Sequence, residues 1–323
     1  MSVSYGRERQ LLEYLSAPLG DGRTFFVTPT GYSRSGAFMQ SIAGKGPGMV
    51  FTTLSAGLAA CTAGRGDRVF LLPGTHRVGT EVTLSASDVT LQGSGSNRTF
   101  IATPSGEKGN DFLRITGNGC TVEDICFQPL MKLQNTLANG YKFDDCTNFA
   151  ISLVGATGTT IKNCKFTDGG SQEAGPNAGR TSGVNIADGS NNTVIEDCDF
   201  LNMYHDGVNF HSAAATVPAS IISAIIRRCL FQASHSGIST GDGLTSTDAA
   251  GSIIGIIVTD CTFFDTGAST INLAHSAVTY MFCLFSNNSI AVAAYSSAEL
   301  KLGDSAFGQS GNFTVAGVSG AAL

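Results

Sequence analysis

One short pattern, apolar-x-x-Cys-x-Phe, returns along the chain and limits what it can fold into. It reads IKNCKF at 161–166, IEDCDF at 195–200, IRRCLF at 226–231, VTDCTF at 258–263 and YMFCLF at 280–285. VEDICF at 122–127 fits with Ile125 in the cysteine slot, which leaves Cys126 out of phase. Cys164, Cys198, Cys229, Cys261 and Cys283 are spaced 34, 31, 32 and 22 residues apart. A constant core with variable spacing is the signature of stacked coils joined by loops of unequal length.

A second pattern lies between the first: GVNIAD (183–188), GVNFHS (207–212), GISTGD (237–242) and TINLAH (270–275). Its alternation reads as strands with one buried face. Val184 and Ile186 match Val208 and Phe210, then Ile238 and Thr240, then Ile271 and Leu273. Asn185, Asn209, Ser239 and Asn272 fall on the outward face. Successive coils stacked as parallel strands would turn each slot into a ladder: one of Phe166, Phe200, Phe231, Phe263 and Phe285, another of cysteines. A free cysteine packs as a small hydrophobe, so the thiols are expected to be buried and unpaired.

These repeats resemble the right-handed parallel β-helix of the pectin-lyase-like superfamily. FFVTPTGYSRSG (25–36), VFTTLSAGLAAC (50–61) and GDRVFLLPGTHRV (66–78) resemble the start of such domains, where an extended segment leads to a capping helix and a first strand. Leu54, Leu58 and Ala59 have helical spacing, and Gly64-Arg65-Gly66 is expected to end that helix. The fold expected is therefore all-β, a right-handed parallel β-helix solenoid with a short N-terminal capping helix. The expected divisions are an N-terminal arm (1–24), a lead-in with the helix (25–65), the β-helix (66–310) and a tail (311–323). This architecture carries many activities, so the resemblance is specific for fold rather than function.

Composition excludes several roles. Charged residues are 14% of the chain, the net charge is −6 and no Lys/Arg cluster exists, which argues against a nucleic-acid partner. No stretch reaches the length of a membrane span, so no membrane insertion is expected. MSVSYGRERQLLEYL has no apolar core of a signal peptide. Nine cysteines without a C-x-x-C fit reduced thiols and no zinc site. No cofactor is called for.

Chains with this fold made without export resemble phage virion proteins, tailspike-like or capsid-decorating. That resemblance implies assembly in a host cytoplasm, attachment to other virion proteins through residues 1–24, a homotrimer and a host surface glycan as ligand. A polysaccharide-degrading enzyme, hydrolase or lyase, is the alternative, and a bacterial carbohydrate-binding scaffold a third.

The candidate site follows from loop lengths. Seventeen positions separate Phe166 from Gly183, against seven from Phe200 to Gly207 and six from Phe231 to Gly237. A long loop therefore projects beside short ones, and it carries Asp168, Glu173 and Arg180. The next coil presents Tyr204, His205, Asp206, Asn209 and His211, and His235 aligns with His205. Hydroxyls, amides, imidazoles and carboxylates are the donors and acceptors that sugars require. Asp206 with Glu173 is the pair expected for glycoside hydrolysis, with His205 as proton carrier. Tyr204, Asn209, His211, His235, Arg180 and Asn185 are the expected binding residues. A solvated polar strand edge is the competing reading. Asp188, Ser212, Asp242 and His275 form a further row, better explained by Asp-Gly turns. In a strand His205 and His211 lie about 20 Å apart, too far to share a metal ion. The known catalytic sets of pectin-degrading β-helices do not transfer: Arg227 and Arg228 precede Cys229 with no acidic cluster expected beside them.

Overall fold

The computed structural model describes residues 22–31, 49–102, 111–128, 147–167, 180–187, 189–203, 206–211, 220–232, 236–240 and 251–264, with shorter strands between 269 and 314. The chain winds through three sheets, and every strand pair is parallel. Arg68–Leu71 lies in the first sheet, Gly74–Arg77 in the second and Val82–Leu84 in the third; Thr90–Gln92 then returns to the first. Repeating this circuit gives sheets of 12, 9 and 8 strands. The protein is a right-handed parallel β-helix, all-β with one short helix among the described residues.

The interior is built from the recurring slots. Register places His76, Ile101, Phe127, Phe166, Phe200, Phe231, Phe263 and Ile290 in one row of the second sheet. From Phe127 to Phe263 the rings stack with centroids 4.7–5.2 Å apart and planes within 9° of parallel. That spacing is the strand spacing, so each ring sits on the ring of the next coil. His76 ends the row as a core histidine. Its Nε2 is 2.8 Å from the Leu72 carbonyl oxygen, and burial lowers its pKa against that hydrogen bond. Cys164, Cys198, Cys229 and Cys261 are free and buried, as the repeat predicts. Burial, reinforced by the neighbouring Cys164 and Cys229 thiols, raises the pKa of Cys198.

The last repeat is out of phase with its reading in the sequence. Cys283 pairs with Phe307 and Phe285 with Val258, so both lie in the first sheet. The Phe263 row continues instead through Ile290. Gly251–Thr259 is partnered by two short strands, Val278–Met281 and Cys283–Ser286, in one unchanged register, so Tyr280 falls beside Ile253 and Phe285 takes the slot that Ile226 and Val258 hold. YMFCLF copies the letters of the motif five residues ahead of that slot.

The residue before each slot cysteine makes the corner between the first and second sheets. Asp124, Asn163, Asp197, Arg228 and Asp260 have φ between 51° and 62°. Asp and Asn tolerate this left-handed conformation better than other side chains. Arg228 is the departure. Its Nε and Nη2 both donate to the Asp197 carboxylate at 2.7 Å, and Nη2 also reaches Glu196 at 3.0 Å. Arg227 Nε donates to Glu196 at 2.7 Å, and Lys162 meets Glu123 at 2.8 Å. Parallel stacking thus brings the acids of one coil over the bases of the next, and Arg227 and Arg228 are ion-paired, while among the described residues no acidic cluster that could hold a metal stands beside them.

At the N-terminal end Thr24–Val27 pairs with Arg68–Leu71, so the lead-in is part of the first sheet. The helix Leu54–Ala59 covers the first coil with Leu54 and Leu58. Thr53 Oγ1 accepts from the Ala56 amide at 3.3 Å as its N-cap. The helix ends at Ala60, before the glycines expected to stop it. Gly64 and Gly66, with φ 76° and 75°, form the turn beyond. That turn brings Arg65 onto buried Asp67, which also accepts from the Arg23 and Thr62 amides. Burial works to raise the Asp67 pKa, but these donors outweigh it and hold the carboxyl below its usual range. At the other end Phe313–Thr314 pairs with Ser289–Ile290, which carries the sheets past the expected boundary at 310.

The phenylalanine stack carries the central coils. Phe200→Ala removes a fully buried ring with rings on both sides, and is expected to cost roughly 3–5 kcal/mol in chemical denaturation. A loss below about 1 kcal/mol would contradict the stack's role.

Candidate functional site

The outer face of the third sheet is shaped by a bend. Register runs Phe149 with Ser182 and then Ile151 with Val184. A Cβ at Gly183 would lie 2.7 Å from two ring carbons of Phe200, so this position faces the interior. Val184 faces the interior too. Two consecutive inward positions turn the strand, and only glycine leaves room beside the aromatic stack. Gly207 holds the equivalent place between Asp206 and Val208. The bend sends Ser182, Asn185, Asp206 and Asn209 to the outer side.

There the chain departs from the sequence reading. Ser152, Asn185 and Asn209 are register partners on consecutive strands. They are outward by alternation, as expected, but 3% exposed, and Ser182 and Asp206 are 1% exposed. This is not a solvated strand edge. Their burial is something alternation alone cannot foretell. The Asp206 amide donates to Ser182 Oγ at 3.4 Å, and Asn185 Nδ2 donates to Ser152 Oγ at 3.5 Å. Asn185 Oδ1 and Asn209 Oδ1 are buried with no hydrogen-bond partner among the described residues.

Asp111 joins this network and was not singled out in the sequence. Its Oδ1 accepts from the Phe149 amide at 3.2 Å, and its carboxyl is hydrogen-bonded to the Ser152 side chain. The polar chain thus runs Asp111, Ser152, Asn185. Burial raises the Asp111 pKa, with Glu81 adding to it, while the Phe149 amide, Ser152 and Arg114 oppose. The signal available was the register of Ser152 with Asn185. FAISLV (149–154) lacks the glycine that marks the later strands, and so it was not aligned with them.

Of the expected site residues the structure brings together Asp206, Asn209 and Asn185. Asn185 and Asn209 are neighbours across the sheet, and Asp206 stands about 10 Å along the strand from Asn209 by strand rise. Backbone register sets His211 beside Ala187 and Arg180 beside Thr147. Glu173, Tyr204, His205 and His235 lie outside the described residues, as do Asp168, Asp188, Ser212, Asp242 and His275. Asp111 does not replace Glu173 as partner to Asp206. Three rungs separate their strands, about 14 Å, beyond the carboxyl spacings of glycosidases. Among the described residues no group of three or more His, Cys, Asp or Glu could hold a metal ion.

No protein-family model matches this chain, nor does any curated protein. Solved structures do. A pectin methylesterase in complex with a hexasaccharide superposes with TM-score 0.51 at 12% identity, covering 93% of this chain and 90% of that one. Pectin methylesterase from carrot gives TM-score 0.50 at 12% identity, covering 94% and 86%. Alginate lyase from Paenibacillus sp. gives 0.48 at 14% identity, covering 82% and 93%. At such identities the likeness establishes the parallel β-helix and nothing finer.

The Asp111 environment makes a pH-dependent prediction. A carboxyl whose folded pKa is raised favours the protonated form, so folding is penalised as pH rises through that pKa. Asp111→Asn should melt higher than the wild type at pH 7. The gap should close below the unfolded carboxyl pKa, about 3.9. Thermal melts at pH 7 and pH 3.5 measure it; a gap equal at both values would refute the assignment.

Proposed function

We propose that the protein is a carbohydrate-active β-helix, with its site on the outer face of the third sheet around Asp206, Asn185 and Asn209. One observation carries this reading. Two amide oxygens on consecutive rungs are buried without partners among the described residues, with the buried carboxyl of Asp206 about 10 Å along the strand. A buried polar atom left without a hydrogen bond costs about 1–3 kcal/mol. A folded protein tolerates that cost where a ligand donor repays it, and sugar hydroxyls are such donors. The likeness to a pectin methylesterase in complex with a hexasaccharide supports the same class of ligand. It favours this reading over attachment to a virion.

Asn185 and Asn209 would orient the glycan by accepting its hydroxyl protons. Asp206 is the carboxylate on this face that could give or take a proton. Cleavage needs a second acid at glycosidase spacing, and Glu173 remains the sequence's choice for it.

Affinity gel electrophoresis against a panel of plant, algal and bacterial polysaccharides, paired with a reducing-end assay, tests the proposal. The wild type should be retarded by at least one polysaccharide, and Asn209→Ala should lose most of that retardation. If product also forms, Asp206→Asn should abolish it while leaving retardation intact. A wild type that no polysaccharide retards would reject the reading.

A further inference from the structure

Independently of the carbohydrate reading, we infer that the outer face of the first sheet binds a second copy of this chain, in a two-fold dimer whose β-helix axes run antiparallel. The observation is a column of apolar side chains on the outward side. Register sets Val194, Ile225, Ile257 and Leu284 side by side on four consecutive strands. They alternate with Ile195, Ile226 and Val258, which are fully buried, so they face outward. Val194, Ile225 and Ile257 are half-buried, and Leu284, at 38%, is the one large hydrophobic left exposed among the described residues. Toward the N-terminus the same column is threonine: Thr160, Thr121 and Thr90. Threonine therefore satisfies the coil at this position, and the change to Val, Ile, Ile and Leu answers another demand. Apolar residues gathered on one outward face mark an interaction surface.

The flanking column selects the partner. Two residues further along each strand stand Glu123, Lys162, Glu196, Arg227, Thr259 and Ser286, one per rung. A two-fold axis along the strands, midway between the Ile225 and Ile257 rungs, lays each column on itself in reverse. Val194 then meets the partner's Leu284, and Ile225 meets the partner's Ile257, apolar on apolar. Arg227 meets the partner's Thr259 and Glu196 the partner's Ser286, so no like charges face each other. Glu196 and Arg227 also keep the ion pair within their own chain. An axis parallel to the β-helix would instead lay this flank on Asn192, Ser223 and Gly255, where φ of 54°, 63° and 72° turns the strand. An unrelated partner would have to supply an apolar column of the same pitch, which a second copy brings by construction. The overlap runs six rungs, from Thr160 to Gly308, about 24 Å. That is less than a standard interface, so the dimer is a weak one, with a dissociation constant of about 1–100 µM.

Sedimentation velocity of the full chain from about 1 to 200 µM tests this. The weight-average coefficient should climb from monomer toward dimer over that range. The double variant Ile225→Thr, Ile257→Thr repeats the residue the column carries at Thr160. It should raise the dissociation constant about tenfold or more and keep the wild-type melting profile. Cross-linking reads the orientation. Val194→Cys and Leu284→Cys variants, mixed and oxidised, should form a disulfide-linked heterodimer. Either alone should give only the wild-type background, because like positions sit three rungs apart, about 14 Å, beyond disulfide reach. If the double variant melts early, the cysteine pair decides. A chain that stays monomeric throughout, a trimer, a folded double variant that dimerises as well as the wild type, or Val194→Cys cross-linking to itself overturns the inference.

Discussion

Stacking of each coil on the next, in strict register, is the interaction on which the rest of this protein depends. Parallel pairing at one strand spacing places like side chain over like side chain, and the interior is selected for residues that gain from that. Phenylalanine rings do, lying parallel at 4.7–4.8 Å from Phe166 to Phe263. Thiols do as well, since Cys198, Cys229 and Cys261 fill a narrow column and each reaches a backbone carbonyl of the coil before it. The same geometry sets acids over bases at the surface, so Glu196 and Asp197 of one coil meet Arg227 and Arg228 of the next. Each of these follows from repetition, and a coil taken alone would have none of them.

The outer face of the third sheet is a consequence of the same packing. Phe200 leaves no room for a side chain at position 183, and the glycine there bends the strand. The bend fixes where Ser182 and Asn185 emerge. Register with the neighbouring strands then gathers Ser152, Asn185 and Asn209 into a column, with Asp206 beside it. A face needed only for packing would have no use for amide oxygens that are buried and unsatisfied by the described residues. That surplus of polar capacity is what distinguishes this face from the Glu196–Arg227–Arg228 edge, where the charged groups satisfy one another.

Much of the fold was legible in the sequence because repetition reports position directly. The phenylalanine and cysteine slots identify the second sheet and its corner, and GVNIAD with GVNFHS gives the third sheet its register. Legibility failed at YMFCLF, which copies the motif's letters five residues ahead of Phe285, the residue that register sets in the slot of Ile226 and Val258. The Asn or Asp before Cys164, Cys198 and Cys261 is plain in the sequence, but nothing there reports its left-handed corner or that Arg228 shares it. At the site, alternation identified the outward side of Asn185 and Asn209 without revealing that both are buried. Asp111 lies outside any repeat and enters only through three-dimensional register with Phe149 and Ser152.

The claim that these amides are kept for a ligand, at a cost to the fold, is tested most directly by the thermal stability of Asn209→Leu. Leucine has a similar volume and carries no polar atom that burial would leave unmet. The account predicts a melting temperature equal to or above that of the wild type, together with loss of polysaccharide retention. A clear fall in melting temperature would contradict it, because the amide would then be holding the fold together instead of waiting for a sugar.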